Sequence, residues 1–208
     1  MTATANDDPG IPPVLFADLD RLDPRDVCCR ARCRYDPQRH CYEIWAWTVC
    51  CRVFPAAGVI KYRAAPPNTP HAYFGVFVLH YLLHAADVDP TGEWISVKDL
   101  PGGQTFFRGP HTVPTHWITD RFGNDLNAFE SRCRLLESRV LAMADSAYCF
   151  SITDRIPAAV LYWQGDADFA PQAGLLFDKT VGAHLALDIV YALAVDICDR
   201  LGRPLMVA

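Results

Sequence analysis

Apolar positions along this chain repeat with two periods, and the switch between them lays out the elements. Val14-Leu15-Phe16 opens a short apolar segment. A helix is predicted over 22–34, with Asp23 as N-cap and Pro24 at its first position. Over 41–47 the period drops to two. Tyr42, Ile44 and Ala46 fall on one face, and Cys41, Glu43, Trp45 and Trp47 on the other. Runs at 50–54 and 58–62 follow tight connections, so a β-meander of antiparallel strands is predicted. With Trp45 and Trp47 on one face, both faces of this sheet are expected to carry apolar side chains. One would pack on helices and the other on a partner or ligand.

From 69 to 86 the chain is apolar almost all round, from Tyr73 and Phe74 through Leu82 and Leu83, with Thr69 as N-cap and Pro70 behind it. A helix hydrophobic on every side is a buried one, so this is the expected central helix. Asp89-Pro90-Thr91-Gly92 has turn composition, and Trp94 to Val97 reads as a short strand. Leu100-Pro101-Gly102-Gly103 predicts a type II turn centred on Pro101-Gly102. Another helix starts at 123–125, with Leu126, Phe129, Cys133 and Leu136 as one stripe. Strands are predicted at 148–152 and 158–163. A long loop-like segment, QGDADFAPQAGLLFDKTVGAH, comes next, and a last helix over 184–201 stops at Gly202 and Pro204. The expected fold is α+β: an antiparallel sheet, a β-meander in the N-terminal half, covered by three or four helices. Residues 1–13 read as a disordered tail and 14–208 as a single domain.

Composition narrows the class. Half of the 208 residues are hydrophobic, enough for a real core, and the net charge of −5 argues against a nucleic-acid partner. No apolar run is long enough to span a bilayer, and the N-terminus lacks the basic and apolar regions of a secretory signal. A cytoplasmic protein with no membrane partner is expected. Nine cysteines, an odd count, argue against a disulfide framework in that compartment.

No nucleotide loop, nucleophile elbow or zinc-protease helix is present. The candidate chemistry lies in four places. Asp166, Asp168 and Asp178, followed by His184, are candidate metal ligands, since carboxylates at alternate loop positions can converge on a hard cation. The same residues also suit turns and caps. Gly102 and Gly103, with Asp99, are candidate cofactor-binding residues, because paired glycines let backbone N–H groups approach an anion. His80 and His84 stand one helical turn apart, a spacing that grips a metal or flanks a planar cofactor. Cys29 and Cys33, four apart, would share a helix face and are candidate ligands for a metal ion or iron–sulfur cluster, although no C-x-x-C pair occurs. Cys41 could face Cys50 or Cys51 across the hairpin. Oxidisable thiol pairs and plain packing are the other uses of these sulfurs. No catalytic residue can be named.

Several motifs occur in a fixed order. His80-Tyr81-Leu82-Leu83 precedes Trp94-Ile95-Ser96-Val97-Lys98-Asp99-Leu100-Pro101-Gly102-Gly103. Phe122-Gly123 then precedes a helix. WQGDADFAP over 163–171 leads to Leu176-Phe177-Asp178 and His184-Leu185. In this set the sequence resembles the bacterial and archaeal family catalogued as domain of unknown function 3786, over about 26–201. The family brings no established activity; the resemblance implies anaerobic metabolism involving metal-containing or corrinoid cofactors. The cysteines at 28, 29, 33, 41, 50 and 51 depart from the family pattern. The leading expectation is thus a binding or accessory protein for a metal-containing or tetrapyrrole-type (corrinoid or haem-like) cofactor. The alternatives are a small-molecule enzyme with an Asp/His site, and an interaction protein or homodimer docking through the Trp45/Trp47 face.

Overall fold

The computed structural model describes residues 5–6 as backbone, and 11–63 and 73–203 in full. Two antiparallel sheets organise these residues. The first contains β1 (Ala5–Asn6), β2 (Arg34–Asp36), β3 (Cys41–Ala46), β4 (Val49–Phe54) and β5 (Val59–Arg63), in the spatial order β1-β5-β4-β3-β2. The second contains β6 (Trp94–Ser96), β7 (Arg139–Leu141), β8 (Ser146–Thr153), β9 (Ile156–Trp163) and β10 (Gln172–Asp178), in the order β6-β10-β9-β8-β7. The helices are α1 (Pro13–Asp20), α2 (Pro24–Ala31), α3 (Phe74–His84), α4 (Gly103–Phe106), α5 (His116–Phe122), α6 (Leu126–Leu135), α7 (Val181–His184) and α8 (Leu187–Gly202). The α+β class and the N-terminal meander stand. One sheet becomes two, because the predicted loop after Trp163 contains β10. Ala173, Leu175 and Phe177 pack toward the core, but Pro171 and Gly174 punctuate that run and hide its alternation.

Local chemistry sets the element ends. Asp23 accepts a hydrogen bond from the Arg25 N–H at 3.0 Å and caps α2, and Asp125 accepts from Ala128 at 2.9 Å and caps α6. The Thr69-Pro70 helix start lies outside the described residues, as does most of the 1–13 tail.

One core joins both sheets. α3 buries Phe74, Phe77, Val78, Leu79, Tyr81 and Leu82, and α8 buries Val190, Leu193, Ile197 and Leu201 in the same apolar cluster. The sheets also meet through the backbone. A bulge between Ser151 and Thr153 breaks the β8–β9 ladder, and the Ile152 carbonyl accepts the Trp47 N–H at 2.7 Å. Trp47 makes this bond from a left-handed conformation, φ 55°, just past the end of β3. Its ring therefore leaves the outer face and packs on Phe150, with centroids 5.3 Å apart. The expectation that Trp45 and Trp47 share a face is corrected: the turn at Trp47 breaks the period-two alternation.

A buried ion pair fixes the end of α8. Arg200 Nε donates to Asp196 at 2.7 Å, and the Arg200 guanidinium lies over the rings of Trp47 and Phe74. The Arg200 carbonyl accepts from Arg132 Nε at 3.0 Å and from Arg132 Nη2. Burial, then the charge of Arg121, lowers the Arg132 guanidinium to about 10.

The Pro101-Gly102 turn is type II as predicted. Gly102 has φ 78°, and the Gly103 N–H donates to Leu100 O at 2.8 Å. A Cβ on Gly102 would find ordinary contact with Leu187, but one on Gly103 would overlap the Val97 carbonyl. Gly102→Ala should therefore cost about 1–2 kcal/mol, the strain of a left-handed alanine. Gly103→Ala should cost more, because backbone must move. Urea midpoints in that order are expected; equal midpoints would show that the backbone at Val97 yields.

Candidate functional site

The candidate residues read from the sequence do not gather into one cleft. Leu100 fills the space beside α7: a Cβ on Gly182 would lie 3.1 Å from its side chain. Gly102 and Gly103 make a packed turn, with Gly103 itself buried. Asp99 closes a capping box over Val97–Asp99, where Asp99 Oδ2 accepts from the Ser96 N–H at 2.9 Å and Ser96 Oγ accepts from Lys98 N–H at 3.3 Å. These groups are used by the local turn, and no anion nest opens there.

Asp178 and His184 are brought together, around the segment 85–92 that links α3 to β6. Asp178 is 1% exposed. Its carboxylate accepts from Gly92 N–H at 2.6 Å, Thr180 N–H at 3.0 Å, Thr180 Oγ1 at 2.8 Å and Thr91 Oγ1 at 3.3 Å. Burial would raise this carboxyl, but the donors from Thr180, Thr91 and Gly92 outweigh it and hold it below its ordinary 3.8. His184, also 1% exposed, accepts the Ala86 N–H on Nδ1 at 3.2 Å, which leaves Nε2 buried without a partner. Burial, then the positive charge of Arg155, lowers this imidazole below 6.5 and keeps it neutral, against the pull of Asp178. Asp178 has little acceptor capacity left for a metal.

Sequence reasoning missed the third member of this clamp. Arg155, 3% exposed in the β8–β9 turn, pairs with Asp87, with Asp89 at 2.9 Å, and with the Cys29 carbonyl at 3.4 Å. From α2, Arg30 Nη1 donates to Ala85 O at 2.8 Å, and Arg32 pairs with Asp89 at 2.5 Å. A signal existed in the two aspartates around Val88, but nothing local paired them with an arginine 66 residues away.

The other predicted ligands are dispersed. Asp166 belongs to an exposed turn, accepting from Asp168 N–H and Phe169 N–H at 2.8 Å, and those two donors lower its carboxyl. Asp168 is exposed beside it. Cys29 and Cys33 do not share a face, because α2 ends at Ala31 and Arg32 turns left-handed at φ 49°. That turn brings Cys33 to Cys28 instead, Sγ to Sγ 3.8 Å, while exposed Cys29 lies 3.9 Å from Asp87 Oδ2. Cys41 does not oppose Cys50 or Cys51, which pair with Trp45 and Ile44 in the ladder. Among the described residues no group of three or more His, Cys, Asp or Glu side chains converges as a metal site. His80 and His84 do stay together on α3, ring centroids 5.7 Å apart. Burial, then His84, lowers half-buried His80, and Asp188 at the start of α8 opposes that shift.

What the fold does assemble is a surface. On the outer face of the first sheet the register sets Arg34, Glu43, Arg52 and Lys61 in one cross-strand row, and Trp45, Cys50 and Arg63 in the next. Arg34, Arg52, Lys61 and Arg63 are exposed, and Trp45 is 63% exposed. Glu43 pairs with Arg52 at 2.5 Å, and Lys61 Nζ lies 5.0 Å from the centre of the Phe54 ring. These cations were readable from the sequence, as every second residue of the meander.

The clamp predicts an acid-sensitive fold. Unfolded chains bind more protons than the native state at both Asp178 and His184, so stability rises with pH. The His184 contribution is complete above its ordinary 6.5 and is lost as pH falls below it, with His80 adding the same sign. The Asp178 contribution persists until pH drops below 3.8. Urea midpoints should be flat just above neutrality, short of the pH at which unfolded thiols ionise, and should fall in two stages on the acid side, and His184→Gln should remove most of the first. A profile unchanged by that substitution would show that His184 titrates normally in the native state.

No curated protein and no solved structure matches the chain. None of the described helices is long and apolar enough to cross a membrane. A family model does match, over residues 23–200, and its span takes in α2, the 85–92 clamp, both tryptophan-led motifs and nearly all of α8. The chain belongs to the family described as Domain of unknown function (DUF3786).

Proposed function

We propose that this protein is an interaction module that docks an acidic protein surface on the outer face of its first sheet. One observation carries the reading: four exposed cations, one of them paired with Glu43, share a sheet face with an exposed tryptophan, in a chain whose net charge is −5. Opposite charge steers encounter and fixes register. Tryptophan and arginine are the side chains most enriched at the centres of protein interfaces. A protein partner fits better than a nucleic acid. Asp36 and Glu43 interrupt the basic face and leave no unbroken row of cations for a phosphate backbone to follow. Nine free thiols suit a reducing compartment, so the reading places the protein in the cytoplasm.

Poly-L-glutamate serves as the probe. Wild-type protein should bind it in a salt-sensitive manner, and R52E/R63E should weaken binding about tenfold, as expected for reversed charges at an interface. W45A should weaken it further with its urea midpoint unchanged, because Trp45 is exposed, whereas R52E/R63E sets a second carboxylate opposite Glu43 and should lower the midpoint slightly. Equal binding by R52E/R63E, or tighter wild-type binding to a single-stranded oligonucleotide of matched charge, overturns the reading.

A second reading, binding of a metal-containing or tetrapyrrole-type cofactor, is favoured by the His80–His84 pair alone. Two imidazoles one turn apart suit a late first-row ion with its other positions open. Calorimetric titration with Ni²⁺ should show one site that His84→Ala abolishes. Unaltered Ni²⁺ binding by that variant removes the pair from consideration.

A further inference from the structure

The docking face leaves the sulfur at the end of α2 unexplained. Helices that end in a left-handed residue commonly close with a six-residue hydrogen bond and an apolar contact between its two ends. Here Arg32 is the left-handed residue, and the Cys33 N–H closes the turn onto the Cys28 carbonyl at 3.3 Å. The contact that normally joins two apolar side chains is made by two thiols, with Sγ atoms 3.8 Å apart. A disulfide needs about 2 Å between the sulfurs, a gap that small side-chain rotations can close. Both thiols are partly exposed. Neither belongs to the Arg155 clamp, which takes only the carbonyl of the intervening Cys29.

We propose that Cys28 and Cys33 are a site of reversible oxidation, closing to an intramolecular disulfide by exchange with a low-molecular-weight disulfide such as glutathione disulfide. In the first step the Cys28 thiolate attacks one sulfur of the oxidant. Its S–S bond breaks, and one glutathione leaves as thiolate and takes up the Cys28 proton. In the second step the Cys33 thiolate attacks the Cys28 sulfur of the mixed disulfide, and the second glutathione leaves and takes up the Cys33 proton. Two protein thiols are oxidised by two electrons, and one glutathione disulfide is reduced to two glutathione thiols. Cys28 enters first because it accepts the S–H of Cys33, which favours its thiolate. Burial raises both thiols, Cys33 the more strongly, so exchange is slow at neutral pH and quickens toward alkaline pH.

The full-length chain and a C29S variant are equilibrated with glutathione disulfide, trapped with N-ethylmaleimide and mapped by mass spectrometry. The expected result in both is a Cys28–Cys33 crosslink that carries no maleimide and that dithiothreitol reverses. C33S should stop at a glutathione adduct on Cys28. Maleimide on both Cys28 and Cys33 of oxidised C29S overturns the proposal, as does a Cys29–Cys33 crosslink in the wild type. The measurement reads no binding, so its outcome is independent of the docking face.

Discussion

The Arg155 guanidinium is the constraint on which the rest of this structure depends. It leaves the tight turn between β8 and β9, is withdrawn almost wholly from water, and meets Asp87 and Asp89 on the segment that carries the chain from α3 to the second sheet. A buried arginine is tolerable only when its charge is met, and here two carboxylates at the surface meet it. His184 and Asp178 complete the hold on the same segment, His184 through the Ala86 N–H and Asp178 through Thr91 Oγ1 and the Gly92 N–H. The segment's backbone is thereby tied to α2, to β10 and to α7, so two sheets remote in sequence share one core.

This clamp also explains why the chemistry-bearing residues gather no site. A carboxylate that accepts four hydrogen bonds, and an imidazole kept neutral by burial, are consumed in holding a loop. Asp23, Asp99, Asp125 and Asp166 are consumed in the same way at caps and turns. Such aspartates look like candidate ligands in a sequence because the short side chain that suits a metal also suits a backbone N–H two or three residues on.

The periodic elements were legible in the sequence. The meander, the all-apolar α3 and the α8 stripe each repeat a pattern over enough residues to outweigh local noise. The legible part of the surface was the same alternation seen from outside: Arg52, Lys61 and Arg63 at the polar positions of their strands. What escaped had non-local or single-residue causes. β10 hid behind Pro171 and Gly174. The partners of Arg155 lie in distant segments. Two left-handed residues that are not glycine, Arg32 and Trp47, redirected Cys33 and the indole away from where helix and strand periods put them. Glycine advertises such a conformation in a sequence; arginine and tryptophan do not.

Arg32 shows how the clamp reaches the outer face. A left-handed arginine is strained, and something must hold it. Asp89 Oδ1 accepts from Arg32 Nη2 and from Arg155 Nη1 at once, so the carboxylate that satisfies the buried charge also stabilises the turn. Cys33 follows that turn and Arg34 opens β2, a three-residue edge strand paired only with β3 among the described residues. Arg34 thus stands in the basic row because Asp89 fixes Arg32. The thiol contact between Cys28 and Cys33 closes the same turn from its other side. A covalent bond there would hold the start of β2 even with the Asp89 ion pair screened by salt, and would narrow the range of positions open to Arg34.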